Sequence, residues 1–207
     1  MGIMLIINCL YMIERLLQER EVREFAALVE QSSEVVLTCH VRPDGDALGS
    51  TLGLMHLLRS MGKHATVVTP DAPPRSLSFL PGYADIVPYS KYPEYASGLV
   101  ERADMLIACD FNGLKRQDNM SALWEITKAR KVMIDHHEGP DGFVDLQISY
   151  PDMSSTCELA FRIIAAMGLY EALPLDAATC LCAGIITDTR NLSVNTKHLD
   201  LYDIMVA

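Results

Sequence analysis

Four separate stretches of the chain carry aspartate and histidine in a pattern capable of chemistry: His40 with Asp44 and Asp46, then Asp110, then Asp135-His136-His137, then Asp188. Each has a plain explanation when taken alone. An Asp after a strand commonly caps a turn or a helix, and a single His is commonly a hydrogen-bonded or surface residue. The coincidence of four stretches outweighs those separate explanations. So many carboxylates brought together would repel one another unless cations lay between them. Carboxylates suit Mg or Mn and imidazoles suit transition metals, so the mixture points to Mn first and Mg second. Two such ions about 3.5–4 Å apart can share a carboxylate and stabilise both the attacking and the leaving oxygen of an in-line displacement at phosphorus.

The elements around these residues explain how they would meet. Glu14–Glu30 carries Leu16, Leu17, Val22, Phe25, Ala26 and Leu28 at close to helical spacing. Val35–Cys39 is a short β-branched run that predicts a buried strand, and His40 to Gly45 forms a turn after it. A helix follows with the stripe Leu48, Leu52, Met55, Leu58 and Met61, and Gly62 is a natural stop. Ala65–Thr69, Met105–Cys109 and Val132–Ile134 predict further strands. Met120–Ala129, Ser154–Met167 and Leu175–Ile186 predict helices, the second with Ser155 and Glu158 placed for a capping box. The proline- and tyrosine-containing stretch from Pro70 towards Met105 reads as a long connection. Strands alternating with helices predict an α/β fold, a mostly parallel sheet with helices on both faces, Rossmann-like in layout. In such sheets ligands bind beyond the carboxyl ends of the strands, where three of the four Asp and His stretches begin.

Composition narrows the partners. Half of the 207 residues are hydrophobic, which argues against disorder, and the formal net charge of -10 repels a long phosphate backbone. No long nucleic acid and no membrane are therefore expected as partners. Small anions remain compatible, because bound cations would reverse the local field. Cys9, Cys39, Cys109, Cys157, Cys180 and Cys182 lie mostly in apolar runs without zinc-ribbon or C-x-x-C spacing, as buried thiols in a reducing cytoplasm would. Met1–Ile13 is apolar, but no basic residue precedes it and no small-residue cleavage site follows, so it is not read as a targeting signal; Met12 is an alternative start. Leu199–Ala207 reads as helical without a terminating signal, so the sequence is expected to stop within an element, ahead of a further domain.

The motifs carry a specific resemblance. His40-Val41-Arg42-Pro43-Asp44-Gly45-Asp46-Ala47-Leu48-Gly49-Ser50 resembles the first motif of the DHH phosphoesterase family. Asp110, in Cys109-Asp110-Phe111-Asn112, fits the second. Asp135-His136-His137 is similar to the naming motif, and Gly184-Ile185-Ile186-Thr187-Asp188-Thr189 to the last. The likeness runs from about Glu34 to Thr196 and is greatest to the nanoRNase and pAp-phosphatase branch. It implies that residues 1–207 form a metal-binding catalytic domain; nothing here matches the family's C-terminal, glycine-rich, substrate-binding domain. It further implies that His40 and Asp44 hold one ion, that Asp46, His136 and Asp188 hold the other, and that Asp110 bridges them. His137 would be catalytic, facing the substrate phosphate, and Asp135 would support a neighbouring histidine. Ser154, Ser155 and Thr156 also resemble a family segment, although helix capping explains them equally well. Arg116 is read as a solvated surface residue before a phosphate contact. Arg190 stands where relatives usually have Gly, and Leu192 where they commonly have Phe.

The expected function is divalent-metal-dependent hydrolysis of short oligonucleotides or small nucleotide phosphates such as pAp. The alternatives are a pyrophosphatase or exopolyphosphatase, or a non-catalytic nucleotide-binding module. A homodimer stays open. A Rossmann dehydrogenase is a weaker reading still, since no G-x-G-x-x-G follows the first strand.

Overall fold

The computed structural model describes residues 16–206. The reading of Met1–Ile13, Cys9 included, therefore lies outside the described residues. Six strands, β1 (Glu34–Thr38), β2 (His64–Thr69), β3 (Val87–Pro88), β4 (Met105–Cys109), β5 (Arg130–Asp135) and β6 (Leu146–Ser149), form one sheet in the order β3-β2-β1-β4-β5-β6. Every pairing is parallel. The order reverses between β1 and β4, the position at which open α/β sheets leave a crevice.

Strand alternation builds two apolar layers. Val35, Leu37 and Cys39, with Met105, Ile107, Cys109, Val132 and Ile134, face one layer; Val36, Leu106, Ala108 and Met133 face the other. Burial on both faces is why these strands read as continuous apolar runs. The first layer is covered by α1 (Glu19–Gln31), α2 (Gly45–Ser60), α5 (Thr156–Ala166), α6 (Leu175–Asp188) and α7 (Leu201–Val206). The second is covered by α3 (Pro93–Arg102) and α4 (Ser121–Ile126), with Met120 between sheet and helix. Helices thus flank both faces.

Two features position the site. The first is register: Thr38 pairs with Ala108, and Cys109 with Ile134, so β1, β4 and β5 end level and His40, Asp110 and Asp135 emerge on one edge. The second is the close approach of α2 and α6. A Cβ on Gly49 would lie 2.6 Å from the Cys180 carbonyl oxygen, so only glycine lets the two backbones come this near.

Several expected boundaries shift for local reasons. The connection after Pro70 contains β3 and α3; β3 is two residues long, and α3 opens on Pro93, whose fixed φ suits a first helical turn as well as a loop. β6 was not expected, and its four residues are too few to show a period. The helix predicted over Met120–Ala129 is only Ser121–Ile126, preceded by a 3-10 stretch over Leu114–Met120. It stops at Thr127, whose hydroxyl donates to the Val100 carbonyl and accepts from the Ala129 amide. α1 begins at Glu19, since the Gln18 amide is taken by the Tyr150 hydroxyl at 2.8 Å. No described helix is long and apolar enough to cross a membrane.

Candidate metal centre

His40 leaves the end of β1 with its ring almost buried. Its Nδ1 lies 2.8 Å from the Val41 carbonyl oxygen, which can only accept, so Nδ1 carries the proton and Nε2 offers a lone pair. The loop is pinned from below: the Val41 amide donates to the Arg116 carbonyl, and the buried Gln117 amide donates to the Cys39 carbonyl. Burial pushes the His40 imidazole below its ordinary value, which keeps it in the neutral form a metal ligand needs.

Asp44 does two things at once. Its Oδ1 accepts from the amides of Asp46 and Ala47 as the N-cap of α2, while Oδ2 lies 3.8 Å from His40 Nε2. Two residues on, Asp46 is 1 % exposed and points at the start of α5, where its two oxygens accept from the amides of Thr156 and Cys157 at 2.7 and 2.9 Å. A helix N-terminus stabilises that anion.

Asp110 sits at the middle, 2 % exposed and with φ at +63°, a left-handed conformation that aspartate tolerates better than most residues. Its amide continues the ladder to the Ile134 carbonyl. Its Oδ2 lies 3.3 Å from His40 Nε2. Its Oδ1 lies 3.6 Å from His136 Nε2 and accepts from the Thr156 hydroxyl at 3.0 Å. His136 turns Nδ1 to the Met153 carbonyl and Nε2 to Asp46, Asp110 and Asp188, the last at 3.7 Å. Asp188 arrives from the end of α6 and not from a strand. Asp135 is fully buried; one oxygen accepts from the His137 amide, and the other lies 2.8 Å from His137 Nδ1.

Three donor groups result: His40, Asp44 and Asp110; Asp46, His136 and Asp188; and Asp110, His136 and His137, the donor atoms within each lying no more than 4.8 Å apart. Seven of the eight residues singled out in the sequence are therefore neighbours in these groups, and the eighth, Asp135, touches His137. The carboxylates are strained electrostatically. Burial, then Asp46 and Asp44, push the Asp110 carboxyl well above the ordinary range. Burial also raises Asp46, and burial followed by Asp46 pushes Asp188 up to about 6. Acids held this way, with imidazole lone pairs aimed among them, form a donor set that fits divalent cations.

Sequence reasoning missed some of the support. Ser155 caps α5 by accepting from the Glu158 amide, but Glu158 returns to the amide of Ser154, one residue earlier than a capping box requires. Thr156 is the member of that segment that touches the acids. Glu158 and Arg162 are wholly buried and paired, and Arg162 also grips Asp200 through two nitrogens, at 2.8 and 3.0 Å. The signal was a charged i,i+4 pair inside an otherwise apolar helix. After Asp188 the chain takes three consecutive left-handed residues, Arg190, Asn191 and Leu192. The buried Thr189 hydroxyl bridges the Ile185 carbonyl and the Leu192 amide, which holds this turn with arginine at its first left-handed position.

An all-parallel α/β sheet whose carboxyl edge gathers acids and imidazoles defines a metal-binding α/β domain. The chain belongs to the DHH family: residues 34–185 match the DHH family, N-terminal domain. It is 33% identical over 160 residues to the bifunctional oligoribonuclease and PAP phosphatase NrnA of Thermus thermophilus, covering 76% of this chain and 44% of that one. It is 28% identical over 178 residues to the cyclic-di-AMP phosphodiesterase PdeA of Listeria monocytogenes, covering 82% of this chain and 27% of that one. The crystal structure of an exopolyphosphatase-related protein from Bacteroides fragilis superposes with a TM-score of 0.90 at 39% identity, over 92% of this chain and 56% of that one. The chain thus spans about half or less of the length of these proteins.

Proposed function

We propose that this chain is the metal-binding part of a phosphoesterase that hydrolyses short oligonucleotides or small nucleotide phosphates such as pAp. The observation that carries this reading is Asp110, a buried carboxylate whose two oxygens face two different donor groups. In it, His40 and Asp44 would hold one divalent ion, Asp46, His136 and Asp188 a second, and Asp110 would serve both; Mn suits the donors first and Mg second. Bound ions would supply Lewis acidity at phosphorus and lower the pKa of water. The protein's own groups do the rest. Thr156 and the start of α5 hold Asp110 and Asp46 in place. Asp135 fixes the His137 ring, which is one-third exposed and leaves Nε2 to meet a phosphate oxygen or protonate the leaving group. The likeness to an oligoribonuclease and PAP phosphatase supports the substrate class, as does the acidic net charge, which disfavours long nucleic acid. Buried thiols agree with a reducing, cytoplasmic setting.

Replacing Asp110 by Asn in the full chain is expected to reduce Mn-dependent hydrolysis of pAp and di- to pentanucleotides to background, with Mn binding measured on the same sample. Retained hydrolysis would overturn the assignment. Pyrophosphate or polyphosphate is the second reading, favoured by the likeness to an exopolyphosphatase-related protein, and the same substrate panel separates the two.

A further inference from the structure

A second recess lies on the carboxyl edge of the sheet, beyond the ends of β2 and β3. It measures about 230 Å³, and its walls include Asp71, Tyr89, Asp118, Asn119 and Met120. It contains none of the donors described above, yet it is tied to them. Asp71 Oδ2 accepts from the Arg42 amide at 2.9 Å, and Arg42 lies midway between His40 and Asp44. Asp118 and Asn119 directly follow Arg116 and Gln117, which pin the His40 loop. Two residues of chain span at most about 7 Å, so the recess lies within a nucleoside's length of Asp44.

Its chemistry is selective. Pockets for drug-sized ligands run from about 300 Å³ upward, so this one suits a single ring system with part of a sugar. Tyr89 is half-buried and packs against the second apolar layer, which steadies its ring at the wall. Aromatic rings held this way stack on bases. Two carboxylates at the rim repel an anion but accept from hydroxyls and exocyclic amines, while Asn119 can both donate and accept. Among the described residues, the side chains of Asp118 and Asn119 make no hydrogen bond. Asp118 is also held at φ +45° and ψ −127°, a costly backbone state of the sort that persists at functional sites. In dinucleotide-binding sheets of this strand order an acid near the end of the second strand receives a ribose hydroxyl; this chain lacks their glycine-rich turn, but Asp71 stands in the comparable place, two residues beyond β2.

We propose that this recess is a ribonucleoside subsite. The base stacks on Tyr89 with its polar edge towards Asp118 and Asn119, the second oxygen of Asp71 accepts a ribose hydroxyl, and the phosphate extends to the metal centre. The phosphate end rests on the function proposed above; the nucleoside end does not. Calorimetric titration of the Mn-loaded full chain with AMP and with ribose 5-phosphate tests it. AMP is expected to bind roughly five- to a hundredfold more tightly, the contribution of one stacked base. Tyr89→Leu, which keeps the apolar contact, should bring that ratio close to one and leave ribose 5-phosphate and Mn binding unchanged, whereas Tyr89→Phe should preserve it. Equal affinity of the native chain for the two ligands, binding of neither, or a Tyr89→Leu chain that weakens both alike would overturn the subsite. Base-dependent binding in a chain that hydrolyses no phosphate ester would leave the subsite standing and sink the phosphoesterase reading.

Discussion

Asp135 commits both carboxylate oxygens to His137, one to the ring and one to the backbone amide, and neither reaches solvent. Its expected contribution is orientation. Asp135→Asn should lower kcat roughly ten- to a hundredfold, the usual effect of removing a partner behind a site histidine, with little change in Mn affinity. Steady-state kinetics beside a Mn titration checks this, and an unaltered kcat would show that the ring needs no such support. At this scale the sequence was informative about residue types and their order, because Asp and His after strands have few purely structural reasons to recur. It was silent about shared roles. Asp44 caps a helix and faces His40 with different oxygens, so the two explanations offered for it were never in competition. Thr156 was hidden beside Ser155, whose capping accounts for the segment until the hydroxyl contact to Asp110 is seen.

Between residue and fold stand α2 and α6, which carry Asp46 and Asp188 and meet over Gly49. Alanine at 49 would gain about 1 kcal/mol of helix propensity. Against that, its Cβ would sit 2.6 Å from a backbone carbonyl and 2.9 Å from the Cys157 sulfur. A backbone oxygen cannot swing aside, and overpacking of this kind costs about 1–3 kcal/mol, so the clash should win. Gly49→Ala is expected to lower the urea midpoint and weaken Mn binding together; an unchanged midpoint would mean the helices separate cheaply. The strands β1, β4 and β5 were readable because burial on both faces leaves unbroken apolar runs. The edge strands β3 and β6 were not, being too short for any period, and α3 was lost to the proline that begins it.

For the molecule as a whole, the acids of the candidate metal centre oppose one another while no cation lies between them. The carboxyl of Asp188 is raised from 3.8 to about 6, first by burial and then by Asp46. The stability its protonated form contributes is therefore complete below pH 3.8 and is lost as pH rises through about 6. A bound Mn ion would require the deprotonated form, so its stabilising effect should grow over the same interval. At a hundredfold its Kd, Mn is expected to raise Tm by roughly 5–10 °C at neutral pH and by less at pH 5. Thermal unfolding with Mn and with EDTA at several pH values checks this, and a shift independent of pH would remove the link to these acids. The same layout has a consequence for which metal is chosen. Cys39 precedes His40, Cys109 precedes Asp110, and both thiols are fully buried in the first apolar layer, beneath α2. Their pKa values are pushed well up, chiefly by burial, so they stay protonated. A slip of one residue along β1 and β4 would carry Cys39 and Cys109 into the positions of His40 and Asp110, sulfur in place of imidazole and carboxylate. A site for hard oxygen-loving ions would become one for zinc or copper. The hydrogen-bond register of two strands is thus also a metal filter, kept by the apolar side chains that forbid the slip.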